Sequence, residues 1–187
     1  MNYVRTNRRK LRTTILVVLN GIFIMTVLCG CPFQSIYQID AVPQFQVDDV
    51  YYGNWQTIMQ EETGKRRNVL MNLSPKNNNE YNIYFCGDFG RVNKKNQPQT
   101  DTIWGTAFVS LVENKQFLNI NIDTKIYITE FQYQNDKISL LPLCDHFTSF
   151  YIRSNDQLRE RISYHYRTRL YPLYDESFTL KNMTRVK

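Results

Sequence analysis

Between residues 55 and 143, apolar and polar residues alternate repeatedly with the two-residue period of a β-strand, and polar turn clusters separate the alternating segments. That pattern narrows the fold to an antiparallel sheet. Seven segments carry it, at 55–60, 68–73, 81–86, 103–112, 117–122, 126–133 and 137–143. In the third, Tyr81, Ile83 and Phe85 share one face, and Asn82, Tyr84 and Cys86 share the other. In the fifth, Leu118, Ile120 and Ile122 oppose Asn119 and Asn121. The segment 103–112 is apolar on both faces, as a strand covered on two sides would be. Turns are expected at 61–65, 75–79, 113–115 and 134–136, and a longer polar loop from 87 to 100.

The period changes after Leu143. Asp145 can cap a short helical turn, and Ser154, Asn155, Asp156 and Gln157 form a capping-box pattern that opens a helix to about residue 167. Leu158, Ile162 and Tyr166 fall on one face of that helix. Pro172 stops it, and a last strand is expected over 176–186.

The N-terminus has a different chemistry. Arg5, Arg8, Arg9, Lys10 and Arg12 crowd a segment with no Asp or Glu, and an apolar run follows from Ile15 to Leu28. This is the order of a secretory signal peptide. The run falls short of the roughly 20 apolar residues that span a bilayer. The residues that close it, Leu28, Cys29, Gly30 and Cys31, resemble the lipobox of bacterial lipoproteins, in which an aliphatic residue and two small ones precede the lipidated Cys. The resemblance implies cleavage before Cys31, lipidation of Cys31 with palmitate-type acyl chains, and a lipid-anchored protein of the bacterial cell envelope. Pro32-Phe33-Gln34-Ser35 contains no acidic cluster of the surface-export type, so a periplasm-facing anchor is expected. Residues 1–30 would then be the signal peptide and 31–46, Gln-rich and aperiodic, a lipidated tether. The folded domain would occupy 47–187.

Cleavage changes the charge balance. The whole chain has 23 Lys+Arg against 17 Asp+Glu; removing the five basic residues before Cys31 leaves 18 against 17. The basic character belongs mostly to the export segment, and the mature chain offers no electrostatic case for binding nucleic acid. Its remaining cysteines, Cys86 and Cys144, could pair in an oxidising periplasm or stay as buried thiols.

Tyr51, Gly53 and Trp55, directly before the first strand, resemble the aromatic-x-Gly-x-Trp signature that opens lipocalin and related calycin barrels. Upstream, Gln46-Val47 stand where that family usually has Phe-Asp. The resemblance, strengthened by the meander followed by a helix and closing strand, implies a lipocalin-like antiparallel β-barrel, mainly β. It also implies a Trp plug at the barrel base, with Lys181 or Arg185 packed across the ring as a cation–π partner. In such a barrel, alternation makes Ile83, Phe85, Phe108, Leu118, Ile120, Phe131 and Tyr133 the inward candidates, either as core or as ligand lining.

The leading functional expectation is a membrane-anchored module that holds a small apolar molecule or lipid in the barrel. The alternative is a non-enzymatic structural or assembly lipoprotein with a filled barrel that binds another envelope protein. No catalytic constellation, metal set or cofactor motif stands out. Cys144-Asp145-His146 places its side chains in different directions, and His165 is expected on the solvated side of a helix bearing Arg153, Arg159, Arg161, Arg167 and Arg169.

Overall fold

The structure, a computed structural model, describes residues 32–60, 66–92, 98–144, 152–169 and 173–186. Residues 1–31, with the expected signal peptide and Cys31, lie outside them, as does the proposed Asp145 cap.

The seven alternating segments are strands: β2 (Gly53–Gln60), β3 (Arg66–Pro75), β4 (Tyr81–Val92), β5 (Pro98–Val112), β6 (Lys115–Ile122), β7 (Lys125–Gln134) and β8 (Lys137–Pro142). They follow a short N-terminal strand β1 (Gln34–Ser35), and a helix α1 (Asn155–Thr168) and strand β9 (Leu180–Arg185) complete the chain. Each of β2 to β8 pairs antiparallel with the next, as the meander predicted. β9 lies between β8 and β2, with Ile138 opposite Met183 and Trp55 opposite Arg185, and so closes an eight-stranded barrel. Closure gives each of β2 to β9 a paired neighbour on both sides.

The turns have the backbone their residues favour. Glu113 and Asn114, and again Asn135 and Asp136, all have positive φ, the geometry of a tight hairpin whose twist matches its strands. At the β3–β4 turn the Asn77 Oδ1 accepts from the N–H groups of Asn79 and Glu80 at 2.8 and 2.9 Å. Ser154 caps α1 by accepting from the Gln157 N–H at 3.2 Å, and the Gln157 amide accepts from the Arg153 N–H at 2.8 Å. The helix ends where Arg169 turns left-handed, at φ 51°.

Three expectations are corrected. The stretch from 87 to 100 is largely strand, with Asp88 opposite Thr100 and Val92 opposite Pro98. Backbone pairing needs no apolar face, so the polar sequence concealed it. The last strand starts at Leu180, because Glu176–Phe178 form a 3-10 turn capped by the Asp175 carboxylate. Part of the segment read as a tether is also folded. Pro32 bridges Cys144, Gln34–Ser35 pair with β7, and Phe33 and Ile39 are buried. Two apolar residues at irregular spacing leave no period to read.

This segment then crosses the outside of the barrel as a strap. Ile39 N–H donates to the Asn119 side chain at 2.7 Å, the Asp40 carboxylate meets Arg159, and Val47 N–H donates to Asn78 O at 2.9 Å. Beneath the strap and α1 lies a second core of Phe33, Ile39, Val112, Phe117, Ile128, Leu143, Cys144, Leu158 and Ile162. The first core lies inside the barrel.

Candidate functional site

The barrel interior was the expected site. Of the inward candidates, Ile83, Leu118, Ile120 and Phe131 are buried in one cluster contributed by the barrel strands, and Phe85 and Tyr133 pack against it half-buried. Phe108 is a correction: it is buried, but its neighbours Ala107 and Val109 belong to the interior, so alternation turns Phe108 to the outside. A strand apolar on both faces gave no phase from which to tell the two sides apart.

Among the described residues, eight interior side chains are sealed from water. Trp55, Met71, Ile138 and Met183 have no accessible surface, and Leu73, Tyr81, Ile83 and Leu118 only 1%. A hollow wide enough for water would leave surface on the side chains lining it, and these eight have essentially none. Their close packing is that of a protein core.

The base of the barrel explains the aromatic-x-Gly-x-Trp motif. Trp55 donates from Nε1 to Tyr51 O at 2.9 Å, and Tyr51 stacks edge-on against Phe131 and Tyr133 at 4.8 and 5.4 Å. The Arg185 guanidinium lies 4.4 Å from the centre of the indole ring and donates to the carbonyls of Val50, at 2.6 Å, and Tyr52. Arg185, and not Lys181, therefore takes the cation–π position; Lys181 faces Glu176 in solvent. Gly53 has φ +124°, and a Cβ there would come within 3.0 Å of Arg185 Nη1, so a side chain would suit neither its backbone nor its space. Tyr81 accepts from the Asp48 N–H at 2.8 Å, and burial pushes its hydroxyl up to about 12. Every one of these contacts locks the base shut.

The outer wall holds polar residues that sequence reasoning missed. Glu130, 2% exposed, alternates with Ile128 on the outward face of β7 beneath the helix. Its carboxylate accepts from Tyr166, from Tyr174 and, at 2.7 Å, from the Gln132 amide, with Lys115 Nζ at 4.0 Å. Burial, and then the Glu130 carboxylate, push the Tyr174 hydroxyl well above its ordinary value. The signal was present: a carboxylate on the same strand face as Ile126 and Ile128 must be either exposed or caged. Asp40 is the second such group, paired with Arg159, which also donates to Leu111 O at 2.6 Å. His165 corrects another expectation, since it is buried, and burial followed by the Arg161 charge lowers its pKa. Arg167 is partly neutralised by Glu113 at 3.5 Å. Cys86 and Cys144 are thiols rather than a disulfide: Cys86 is opposite Leu70 and Thr102 on β4, whereas Cys144 belongs to the second core.

Among the described residues, two open surfaces stand out. A groove of about 420 Å³ runs beside α1, lined by Ile152, Gln157, Glu160, Arg161 and Tyr164. The other is the outward face of β2 to β5, where Trp104 is 65% and Ile58 59% exposed, Tyr84 lies 4.6 Å from Trp104, and Asn54 and Asn72 share a 2.8 Å hydrogen bond.

Fold and site together define a class: a closed, antiparallel eight-stranded barrel with, among the described residues, one α-helix before its last strand, lipocalin-like in architecture. No family model matches the chain, and no curated protein or solved structure is detectably similar to it.

Proposed function

We propose that this chain is a membrane-anchored lipoprotein of the bacterial cell envelope, non-enzymatic, whose filled barrel is a rigid platform for binding another envelope protein. The observation that carries the reading is the packed interior, from Trp55 at the base through Met71, Ile83, Leu118 and Ile138. It favours this function over carriage of a small apolar molecule, because a ligand would have to displace core side chains. The anchoring part rests on the lipobox at Leu28 to Cys31, and the periplasmic side on the absence of acidic residues just after it.

The platform reading is supported by the outward face of β2 to β5. In its central band the outward residues, among them Asn54, Gln56, Leu70, Asn72, Tyr84 and Trp104, are uncharged. The cores of protein interfaces are likewise depleted of charge and enriched in Trp and Tyr.

Native mass spectrometry of the mature lipidated protein, purified gently and then challenged with lipid extract, tests it. The account expects the mass of polypeptide plus anchor alone. It also expects a photo-crosslinker at the exposed position 56, on the same outward face as Trp104, in intact cells, to give one discrete protein adduct that a crosslinker at the exposed Lys181 does not give. A stoichiometric extra lipid mass restores the carrier function and removes this one.

A further inference from the structure

The strap changes what the lipid anchor can do. We infer that the anchored domain stands on no leash but is held against the bilayer in a fixed orientation, with Ile36 inserted beside the lipidated Cys31. The inference rests on the lipoprotein reading above and adds to it the surface that meets the lipid.

One peptide separates Cys31 from Pro32, a span of about 3.8 Å between Cα atoms. Pro32 is already in the wall, bridged to Cys144. From there the chain is tied at nearly every step. Phe33 N–H donates to Leu143 O at 2.8 Å, and its side chain is buried in the second core. Gln34 and Ser35 pair with Tyr127 and Ile126, Gln38 donates to the Asn121 side chain at 3.1 Å, and Ile39 is held by Asn119. Asp40 meets Arg159 on the helix. A flexible tether of the length first expected would let the domain wander by its root-mean-square reach, about 5–6 Å times the square root of its residue count. Here that count is close to one.

The second observation is Ile36. It is 78% exposed, more than any other large apolar side chain among the described residues, and it follows directly on β1. The bond from Tyr37 N–H to Ser35 Oγ at 2.9 Å turns the chain so that Ile36 projects while Phe33 and Ile39 point into the core. In register it comes next to Lys125, exposed at the start of β7, whose ammonium suits a lipid phosphate. Asp123 in the same turn offsets that charge, so the contact is chiefly apolar. An isolated Ile would bind a bilayer weakly. Five residues from acyl chains already in the membrane, it enters at high effective concentration.

The experiment uses the full mature protein in vesicles of phosphatidylethanolamine and phosphatidylglycerol, with Cys86→Ser to clear the half-exposed thiol. The mass of the N-terminal peptide is read first: a missing diacylglyceryl group defeats the lipoprotein reading itself. With the lipid present, nitroxides are placed at position 36 (I36C) or position 104 (W104C), and their accessibility to oxygen and to a water-soluble nickel chelate is compared. The proposal expects a several-fold higher oxygen-to-nickel ratio at 36 than at 104. It also expects that ratio to fall to the level at 104 when a 20-residue Gly-Ser linker is inserted between Cys31 and Pro32. Equal aqueous ratios at both positions in the lipidated protein overturn it, as does a ratio at 36 that the linker leaves unchanged.

Discussion

The two halves of the barrel's outer wall have the same backbone and opposite chemistry. Under the strap and helix, the outward positions of β5 to β7 carry Phe108, Ser110, Phe117, Asn119, Ile128 and Glu130, all buried. On β2 to β5 they carry mostly amides and hydroxyls, with Trp104 and Ile58 in solvent. The border runs along β5 itself, between Trp104 and Phe108. The polar side chains that the covered sheet face carries, Ser110, Asn119 and Glu130, are each answered by a hydrogen bond. Asn119 accepts from Ile39 N–H and donates to Ser110 Oγ at 2.8 Å, and Glu130 collects two hydroxyls and an amide. The bare half needs no such partners, because water supplies them. Its aromatic pair, Tyr84 and Trp104, packs in the open.

The contrast can be broken most severely at Phe117, fully buried on the outward face of β6 against Tyr166. Phe117→Ala should cost about 3–5 kcal/mol in urea unfolding, as large-to-small changes in a core do. Glu130→Ala should cost about 2–3 kcal/mol by the same measurement, because it removes the acceptor that Tyr166 and Tyr174 share beneath the helix. Glu130→Gln, which keeps an acceptor there, should cost less.

The same cage makes the covered wall sensitive to alkali. The folded protein holds the Tyr174 proton beyond the value near 10 at which an unfolded tyrosine loses it. This contribution to stability is complete below pH 10 and is lost as pH rises above it. Tyr174→Phe should flatten that alkaline slope in thermal melts taken from pH 9 upward. Asp40→Asn, which weakens the bond to a half-exposed Arg159, should cost about 1–2 kcal/mol. Faster amide exchange at Ile39 should report that loss. Trp104→Ala on the bare wall should change stability by less than about 1 kcal/mol, mainly through its contact with Tyr84. Yet it should abolish the crosslinked adduct.

The barrel was legible because period-two alternation is imposed wherever a sheet has one buried face, and β4 and β6 showed it cleanly. The Trp55 plug was legible through the motif around Gly53, and the register placing Trp55 opposite Arg185 decided which cation completes it. What stayed hidden depends on residues distant in sequence. Phe108 looked inward because nothing local distinguishes the two apolar faces of β5. His165 looked exposed because its burial comes from packing across the fold. Glu130 and Asp40 gave no motif, since their partners Tyr166, Tyr174 and Arg159 lie 36, 44 and 119 residues away. The strap was unreadable for the same reason: its hydrogen bonds end on Asn119 and Asn121, about 80 residues on.

The central claim, a barrel already full, is tested most directly at Trp55. The chain has two Trp residues, so Trp104→Phe leaves Trp55 as the sole indole emitter, fully buried at the base. Brominated fatty acid titrated into this variant below its micellar concentration should leave the emission unchanged in intensity and wavelength. Saturable quenching at one fatty acid per barrel would contradict the account.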